Sequence, residues 1–291
     1  MATTWRCAAP THGTLGAMDA RIAIREADGS FTRSDPGVRP IYSITKTFVA
    51  ATVLRLGIEL KRPMSDWMGA DWVPRGAEIR VQHLLNHTGG LRDYGALPEY
   101  RRAVEACESP WSDDRFADAT LRQPLLFEPG AAFAYSNPGY WLLTQIIERE
   151  TDAPFDDALQ RLVLDPLELT QTRVVRGPVE SDLPAYDAGW VWHRLIVASA
   201  RDTATFMASA LVDPLRAGST PVTPAVADPL WPDPHYGLGL MIDRDRYGHN
   251  GGGPGCTTSC FHFPGTGRTC CVLAYGASKD AVMAQVIDLG S

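Results

Sequence analysis

A serine and a lysine lie three residues apart at the beginning of a predicted helix. Ser43 and Lys46 precede apolar residues that recur at three- and four-residue intervals from Phe48 until Gly57 ends the pattern. On one face of such a helix their Cβ atoms would be roughly 5–6 Å apart. A serine hydroxyl is a weak nucleophile until a neighbouring base takes its proton, and a lysine whose pKa is lowered by burial can be that base. Taken alone, the pair more often describes a helix-capping serine and a solvated lysine.

Two further polar motifs follow along the chain. Tyr135-Ser136-Asn137 precedes a predicted amphipathic helix, and His249-Asn250-Gly251 opens a glycine-rich stretch. Together with the serine–lysine pair, they resemble in order and spacing the motifs of the serine β-lactamase and penicillin-binding protein superfamily. The match is closest to its class C-like branch, which includes esterases and D-amino-acid peptidases. Segments 84–91 and 127–130 strengthen the resemblance, which extends from about residue 22 to residue 289.

This resemblance implies covalent catalysis. Ser43 would be the nucleophile that forms an acyl-enzyme, and Lys46 and Tyr135 would together take and return its proton. Asn137 would donate to the substrate carbonyl and help to position the lysine. The simpler alternatives are a buried tyrosine bonded to backbone and a turn-forming asparagine before Pro138.

The resemblance also implies where substrate is held. The backbone N–H groups of Ser43 and Gly252 would form an oxyanion hole, since glycine suits an edge strand that approaches a ligand closely. Substrate contacts would come from Asn137, His249 and Gly251. His249 stands where β-lactamases and transpeptidases carry a lysine. Because a neutral imidazole is a poor anchor for a carboxylate, we expect short-chain esters to be preferred over penicillins and cephalosporins.

Two other histidines have simpler interpretations. His87, in a glycine-rich turn, is predicted to tie a loop beneath the site. His193 is flanked by Trp190 and Trp192, and this setting fits the wall of a pocket and a packed aromatic group equally well. The chain shows no His/Asp/Glu cluster with the spacing of a metal site, so we predict neither a metal nor a cofactor.

The composition narrows the range of partners. The 291 residues carry a net charge of −7 and no long run of lysine or arginine, which argues against nucleic acid and anionic membranes. No apolar segment reaches the ~18–20 residues that span a bilayer. The N-terminus lacks the features of a secretory signal, so a cytoplasmic location is predicted. The six cysteines do not form paired C-x-x-C motifs, and we predict buried free thiols.

The elements that must position these residues are strands at both ends of the chain and helices in the middle. Alternating residues predict hairpins formed by 21–26 with 31–33 and by Cys256–Phe263 with Arg268–Tyr275. Strands are also predicted at 236–242 and 246–250, with the glycine-rich segment 251–255 interrupting them. Helical periodicity predicts further helices at 81–85, 98–106, 113–122, 140–150, 155–163, 202–212 and 281–289.

The simplest packing of these elements is an α+β sandwich. One central antiparallel sheet would combine N- and C-terminal strands, with flanking helices and an inserted helical lobe. We predict a single β-lactamase-like domain over 1–291, with a sheet lobe at about 1–50 and 185–291 and a helical lobe at about 51–184. The segment before Arg21 is short and weakly helical, whereas relatives usually begin with a long helix across the sheet.

These observations favour a serine hydrolase that acts on a small-molecule ester or amide. Acyl transfer to an alcohol or amine needs the same residues, and D-amino-acid peptidase or weak β-lactamase activity also stays open. A non-catalytic β-lactam sensor is disfavoured because the sequence shows no membrane helix or DNA-binding domain. A dead scaffold is disfavoured because all three motifs are intact. The sequence does not specify the acyl group, the leaving group or the oligomeric state.

Overall fold

The computed structural model of the protein describes residues 19–177, 187–223 and 228–291. It has the predicted mixed α+β architecture. The strands, in chain order, are β1 (Asp19–Arg25), β2 (Phe31–Ser34), β3 (Val38–Pro40), β4 (Thr172–Val175), β5 (Leu195–Ser199), β6 (Thr220–Pro221), β7 (Pro234–Tyr236), β8 (Met241–Asp243), β9 (Arg246–Gly253), β10 (Cys256–Phe263) and β11 (Arg268–Tyr275).

Helices fill the middle of the chain and close its C-terminal end. They are α1 (Thr45–Arg55), α2 (Val81–Leu85), α3 (Pro98–Glu105), α4 (Asp113–Ala119), α5 (Asn137–Thr151), α6 (Phe155–Leu159), α7 (Ala200–Met207) and α8 (Lys279–Gly290). A π-helical turn at Gln160–Leu164 continues α6. The seven helices that sequence periodicity predicted at 81–289 are all present; α2 has the predicted bounds, and the others differ at one or both ends.

Strands from the two ends of the chain meet in one antiparallel sheet, as predicted. Its eight strands are ordered β2-β1-β11-β10-β9-β8-β7-β6, and β1 pairs with β11 along its whole length. Both predicted hairpins are present, and β10 and β11 have the predicted bounds. A second sheet, ordered β3-β5-β4, lies beside the start of α1.

Helices cover both faces of the large sheet. Ser259 in β10 contacts Met283 of α8, while the next residue, Cys260, contacts the Thr203 carbonyl of α7. Because successive side chains of a strand point to opposite faces, these two contacts place α8 and α7 on opposite sides. Burial of apolar side chains on both faces holds the sheet between the two helices.

The cysteines separate into two groups. Cys256, Cys260, Cys270 and Cys271 are buried free thiols, as predicted. Cys107 is instead disulfide-bonded, so the prediction of free thiols is wrong at this position.

Of the predicted boundaries that differ from the structure, three concern α7, the β7–β8 segment and β9. Helix α7 begins after Ser199, whose Oγ accepts from the N–H of Asp202, so the helix starts two residues before the predicted position 202. The predicted strand at 236–242 is divided into β7 and β8, because the N–H of Gly237 donates to the Leu240 carbonyl and Gly239 has a φ of 73°. The glycines expected to interrupt the next strand instead form its last three residues.

The predicted weakly helical segment before Arg21 lies outside the described residues, apart from the first two positions of β1. Within the described parts of the chain, no helix is both long and apolar enough to cross a membrane.

Candidate active site

A strained turn presents Ser43 just before the N-terminus of α1. The Ile41 N–H donates to the Ile196 carbonyl at 2.9 Å, which ties the turn to β5. Tyr42 then has a φ of 44°, in the left-handed region that few non-glycine residues adopt. Its hydroxyl donates to the Pro254 carbonyl at 2.9 Å and anchors the turn on its other side. Ser43 is therefore fixed between the two sheets, one turn before Lys46.

Lys46 is fully buried next to this serine. Its Nζ lies 3.2 Å from Ser43 Oγ, 2.6 Å from Asn137 Oδ1 and 3.1 Å from His193 Nε2. Burial lowers the pKa of Lys46 from 10.5 to about 7, against the opposing effect of the nearby Asp93 carboxylate. Near neutral pH a large fraction of the side chain is thus an amine that can accept a proton.

Asn137 is held in one orientation by a carboxylate. Its backbone N–H and its Nδ2 group both donate to Asp93 Oδ1, at 2.9 Å each. With the amide nitrogen engaged there, Oδ1 is the atom that faces Lys46. Sequence reasoning missed Asp93, which lies two residues beyond the Leu91 end of a segment that supported the family resemblance. No periodic pattern indicates Asp93. Its closeness in sequence to that segment is the signal that could have identified it.

Tyr135 completes the cluster around the nucleophile. Its side chain is hydrogen-bonded to Ser43, and burial raises the pKa of its phenol further above 10. Lys46 Nζ lies 4.9 Å from the centre of the ring, over its face. The phenol therefore stays protonated near neutral pH. The sequence analysis allowed either group of the pair to act as base, and these pKa directions favour the lysine.

His87 supports the tyrosine from below. Its Nδ1 accepts from the Ser136 N–H at 3.1 Å, and its ring lies 4.2 Å from the ring of Tyr135. The imidazole is buried, and its backbone φ is 59°. These contacts give His87 the loop-tying role that the sequence analysis predicted.

The glycines of β9 have different surroundings. A Cβ on Gly251 would overlap the Ile41 carbonyl, and one on Gly253 would overlap the Tyr42 ring. A Cβ on Gly252 would meet only the flexible side chain of Lys279, at 3.2 Å. Gly251 is buried, whereas Gly252 is exposed and lines the cavity beside Ser43. The predicted oxyanion-hole pair thus shares one cavity, while Gly251 packs against Ile41 and Thr258.

The free edge of β9 lies at the same place. In the described sheet β8 pairs with β9 only as far as Gly248, so the strand beyond it has no neighbour on that side. The edge-strand expectation for these glycines agrees with this pairing, although β9 is internal over its first three residues. Such an edge can hydrogen-bond an extended substrate.

His249 lies away from the cavity. It is 1% exposed, its Nε2 is 2.8 Å from the Tyr236 hydroxyl, and its Nδ1 is 2.5 Å from the Asn250 carbonyl oxygen. Burial lowers its pKa to about 3, so the ring is neutral, as the sequence analysis assumed. Both nitrogens are engaged, which leaves none for Tyr135 or for a substrate carbonyl. The structure does not bring this residue together with the others predicted to bind substrate.

A cavity of about 430 Å³ opens onto the nucleophile. Its wall includes Ser43, Asn137, His193 and Gly252, together with charged side chains from α3 and α8. His193 lines the cavity and is only 3% exposed. The wall of a pocket is one of the two settings that its sequence allowed. Among the described residues, no group of three or more His, Cys, Asp or Glu side chains is arranged to hold a metal ion.

Similar proteins include two named as peptidases and one named as a penicillin-binding protein. A putative D-alanyl-D-alanine carboxypeptidase of Escherichia coli K12 is 33% identical over 95 residues, which is 32% of this chain and 21% of that protein. Penicillin-binding protein 4* of Bacillus subtilis is 30% identical over 123 residues, covering 39% and 25%. A D-aminopeptidase of Cereibacter sphaeroides is 29% identical over 157 residues, covering 51% and 30%. These alignments span less than a third of each relative's length.

Solved structures match over most of the chain. A D-stereospecific amidohydrolase from Streptomyces sp. has a TM-score of 0.77 at 22% identity, with 93% of both chains covered. The D-amino acid amidase of Ochrobactrum anthropi SV3 has a TM-score of 0.74 at 22% identity, with 93% and 91% covered. A penicillin-binding protein homologue from Pyrococcus abyssi, titled octameric, also reaches 0.74 at 22% identity, with 94% and 73% covered. At these identities the similarity establishes a shared fold.

The match at the level of the family covers every motif described above. The sequence profile described as Beta-lactamase matches residues 38–288, which include the serine–lysine pair, the tyrosine motif and the glycines of β9. The chain therefore belongs to the Beta-lactamase family.

Proposed function

We propose that this chain is a serine hydrolase that forms an acyl-enzyme on Ser43 and hydrolyses small esters or amides. The buried Lys46 amine supports this proposal most strongly, because its Nζ lies 3.2 Å from the serine hydroxyl and its pKa is about 7. Burying an ionisable amine is costly, and its pKa lies where a general base works best at neutral pH. Perturbed groups of this kind cluster at functional sites.

Acylation begins with a proton transfer. The amine of Lys46 takes the hydroxyl proton of Ser43 as Oγ attacks the substrate carbonyl carbon, forming the O–C bond. The backbone N–H groups of Ser43 and Gly252 stabilise the developing oxyanion. The bond to the leaving alcohol or amine then breaks, and the leaving group receives the proton. The Tyr135 hydroxyl is hydrogen-bonded to Ser43 and can pass this proton to the leaving group.

Deacylation reverses the same steps with water. A water molecule gives a proton to the Lys46 amine and attacks the ester carbonyl of the acyl-enzyme. The Oγ–C bond breaks, Ser43 recovers its proton, and a carboxylic acid leaves. An alcohol or amine acceptor in place of water would give acyl transfer.

The nucleophile is tested by labelling and by substitution. A fluorophosphonate probe should add to Ser43, as found by intact mass and peptide mapping. Ser43→Ala removes the atom that forms the covalent bond and should lower kcat by at least ~10³-fold while the fold is retained. Labelling at another residue, or near-native turnover by the variant, would contradict the proposal.

The substrate class depends on charge in the cavity. His249 supplies none, because it is buried and neutral. We therefore expect a higher kcat/KM for p-nitrophenyl butyrate than for nitrocefin, measured on one preparation. The structure also places the cations of Arg101 and Lys279 in the cavity wall, which sequence reasoning did not include.

A preference for nitrocefin would refute the ester assignment. The Lys279→Ala variant then identifies the group responsible, since Lys279 lies against Gly252. Loss of nitrocefin turnover in that variant would show that the ammonium of α8 binds the carboxylate in place of the lysine that β-lactamases carry in the β9 motif.

Hydrolysis of D-amino-acid amides is a second candidate. The carboxylate of Glu105 lies in the cavity wall, where it can pair with a substrate ammonium. The full-length structural neighbours titled D-stereospecific amidohydrolase and D-amino acid amidase favour the same class. Release of ammonia from D- and L-phenylalanine amide distinguishes the candidates: a D-specific rate above the ester rate supports this one.

A further inference from the structure

One contact of the catalytic lysine is not used by the mechanism above. His193 Nε2 lies 3.1 Å from Lys46 Nζ, and the imidazole is 3% exposed. The other two polar neighbours of Nζ are Ser43 Oγ at 3.2 Å and Asn137 Oδ1 at 2.6 Å. Three polar atoms therefore surround a nitrogen that forms at most three hydrogen bonds through its protons.

The protonation state of the lysine decides how these three neighbours are used. An ammonium donates one N–H to each of them. A neutral amine has only two N–H bonds and one lone pair, and only the lone pair can take a proton. To act as base toward Ser43, the amine must therefore donate to Asn137 and His193 and direct its lone pair at Oγ.

We infer that His193 is a positioning residue for this reaction: its Nε2 accepts one N–H of the Lys46 amine and so directs the lone pair at Ser43. The inference rests on the proposed serine-hydrolase function. It adds a residue that the family motifs named in the sequence do not contain. Without this acceptor the amine can rotate about its Cε–Nζ bond, and its lone pair then points at the serine for only part of the time.

The role requires one tautomer of the imidazole. Nε2 must accept when the lysine is an ammonium, because every donor on that side belongs to Nζ. Keeping the ring proton on Nδ1 lets Nε2 accept in both states of the lysine, with no proton rearrangement during the cycle. Nδ1 is buried without a hydrogen-bond partner among the described residues, so no donor of the described residues requires Nδ1 to be the unprotonated nitrogen.

The backbone around His193 is rigid enough to fix the ring. The Arg194 N–H donates to the Val191 carbonyl at 2.8 Å, closing a turn, and Arg194 itself has a φ of 72°. Its guanidinium donates to Glu148 Oε1 of α5 at 2.9 Å. The preceding Trp192 is stacked on Phe116, with ring centres 4.5 Å apart. Strand β5 begins directly after this turn.

Three variants test the inference through the rate and its pH profile. His193→Phe keeps a ring but removes the acceptor, and it should lower kcat/KM for p-nitrophenyl butyrate by about 10- to 100-fold. It should also move the acidic limb of the profile to lower pH, because the ammonium of Lys46 loses an acceptor. His193→Gln supplies an amide oxygen and should restore part of both. His262→Phe, at a histidine of β10 that bonds Thr269 and does not line the cavity, should leave both unchanged.

A purely structural role would lower the rate without moving the acidic limb, and glutamine would not restore it. Unchanged kcat/KM and an unchanged limb in His193→Phe would overturn the inference. The ¹⁵N shifts of His193 in the wild-type protein give an independent decision if that variant does not fold: an unprotonated Nε2 supports the inference and a protonated Nε2 overturns it. The proposed function fails separately, if the wild-type protein neither labels at Ser43 nor turns over substrate.

Discussion

The chemistry at the residue scale centres on one nitrogen atom. Lys46 Nζ is fully buried, and its polar neighbours are a hydroxyl, an amide oxygen and an imidazole. All three are uncharged groups, and the Asp93 carboxylate acts on the lysine from behind Asn137. A carboxylate in direct contact would keep the lysine protonated, whereas this arrangement lowers its pKa and still orients it.

At this scale we expect Lys46 and Tyr135 to act as a unit. Lys46→Ala removes the proposed base, and Tyr135→Phe removes the hydroxyl that is hydrogen-bonded to Ser43. Each should slow acylation by about 10²–10⁴-fold, and the double variant should lose less than the product of the two. Single-turnover acylation rates for the wild type and the three variants complete the cycle. Strictly multiplicative losses would show that the two residues work independently.

At the scale of elements, β9 and the turn before α1 determine each other's position. The strand passes so close to Ile41 and Tyr42 that its glycines at 251 and 253 have no room for a side chain. The Tyr42 hydroxyl in turn donates to Pro254 just beyond the strand. The turn that carries Ser43 and the glycine-rich end of β9 are thus in direct contact.

This contact predicts different responses from neighbouring glycines. Gly253→Ala places a methyl group on the Tyr42 ring and should destabilise the protein by about 1–3 kcal/mol, as overpacking does. Gly252→Ala meets only a flexible lysine side chain and should leave the free energy of unfolding nearly unchanged. Urea unfolding of the two variants measures the difference. Equal losses would mean that β9 does not press on the turn.

At the scale of the whole molecule, Lys46 is enclosed by distant parts of the chain. Its neighbours come from the loop after α2, from the start of α5 and from the turn before β5. Helix α1, which carries the lysine, is buried along most of its length. Correct assembly of both sheets and the helices is therefore what lowers the pKa of Lys46.

This burial should appear in the dependence of stability on pH. Between about pH 7 and pH 10.5 the unfolded chain holds a proton on Lys46 that the folded chain has lost. The free energy of unfolding should then rise with pH in this window, by at most about 1.36 kcal/mol per pH unit from this group. Lys46→Met removes that contribution.

The measurement is urea unfolding of both proteins from pH 7 to pH 9.5. The stability of the methionine variant relative to the wild type should be highest near pH 7 and fall as the pH rises. A difference that is constant across the window would mean that Lys46 keeps its proton when the protein folds.

The sequence by itself determined the local elements and the candidates for the reacting groups. The alternation of residues predicted the bounds of both strands of the β10–β11 hairpin. Helical spacing predicted that Ser43 and Lys46 lie one turn apart. These features follow from residues close together in the chain, whose side-chain period is set by the backbone itself. The family resemblance followed from three such local motifs, and the match over residues 38–288 confirmed it.

Only the tertiary structure decided how those groups are used. Three side-chain contacts join residues that are not neighbours in the chain: Lys46 with His193, Asp93 with Asn137, and His249 with Tyr236. No local pattern encodes such pairings, because they depend on which faces meet when sheets and helices pack. Burial has the same origin, and the pKa of a lysine follows its burial more than its sequence neighbours.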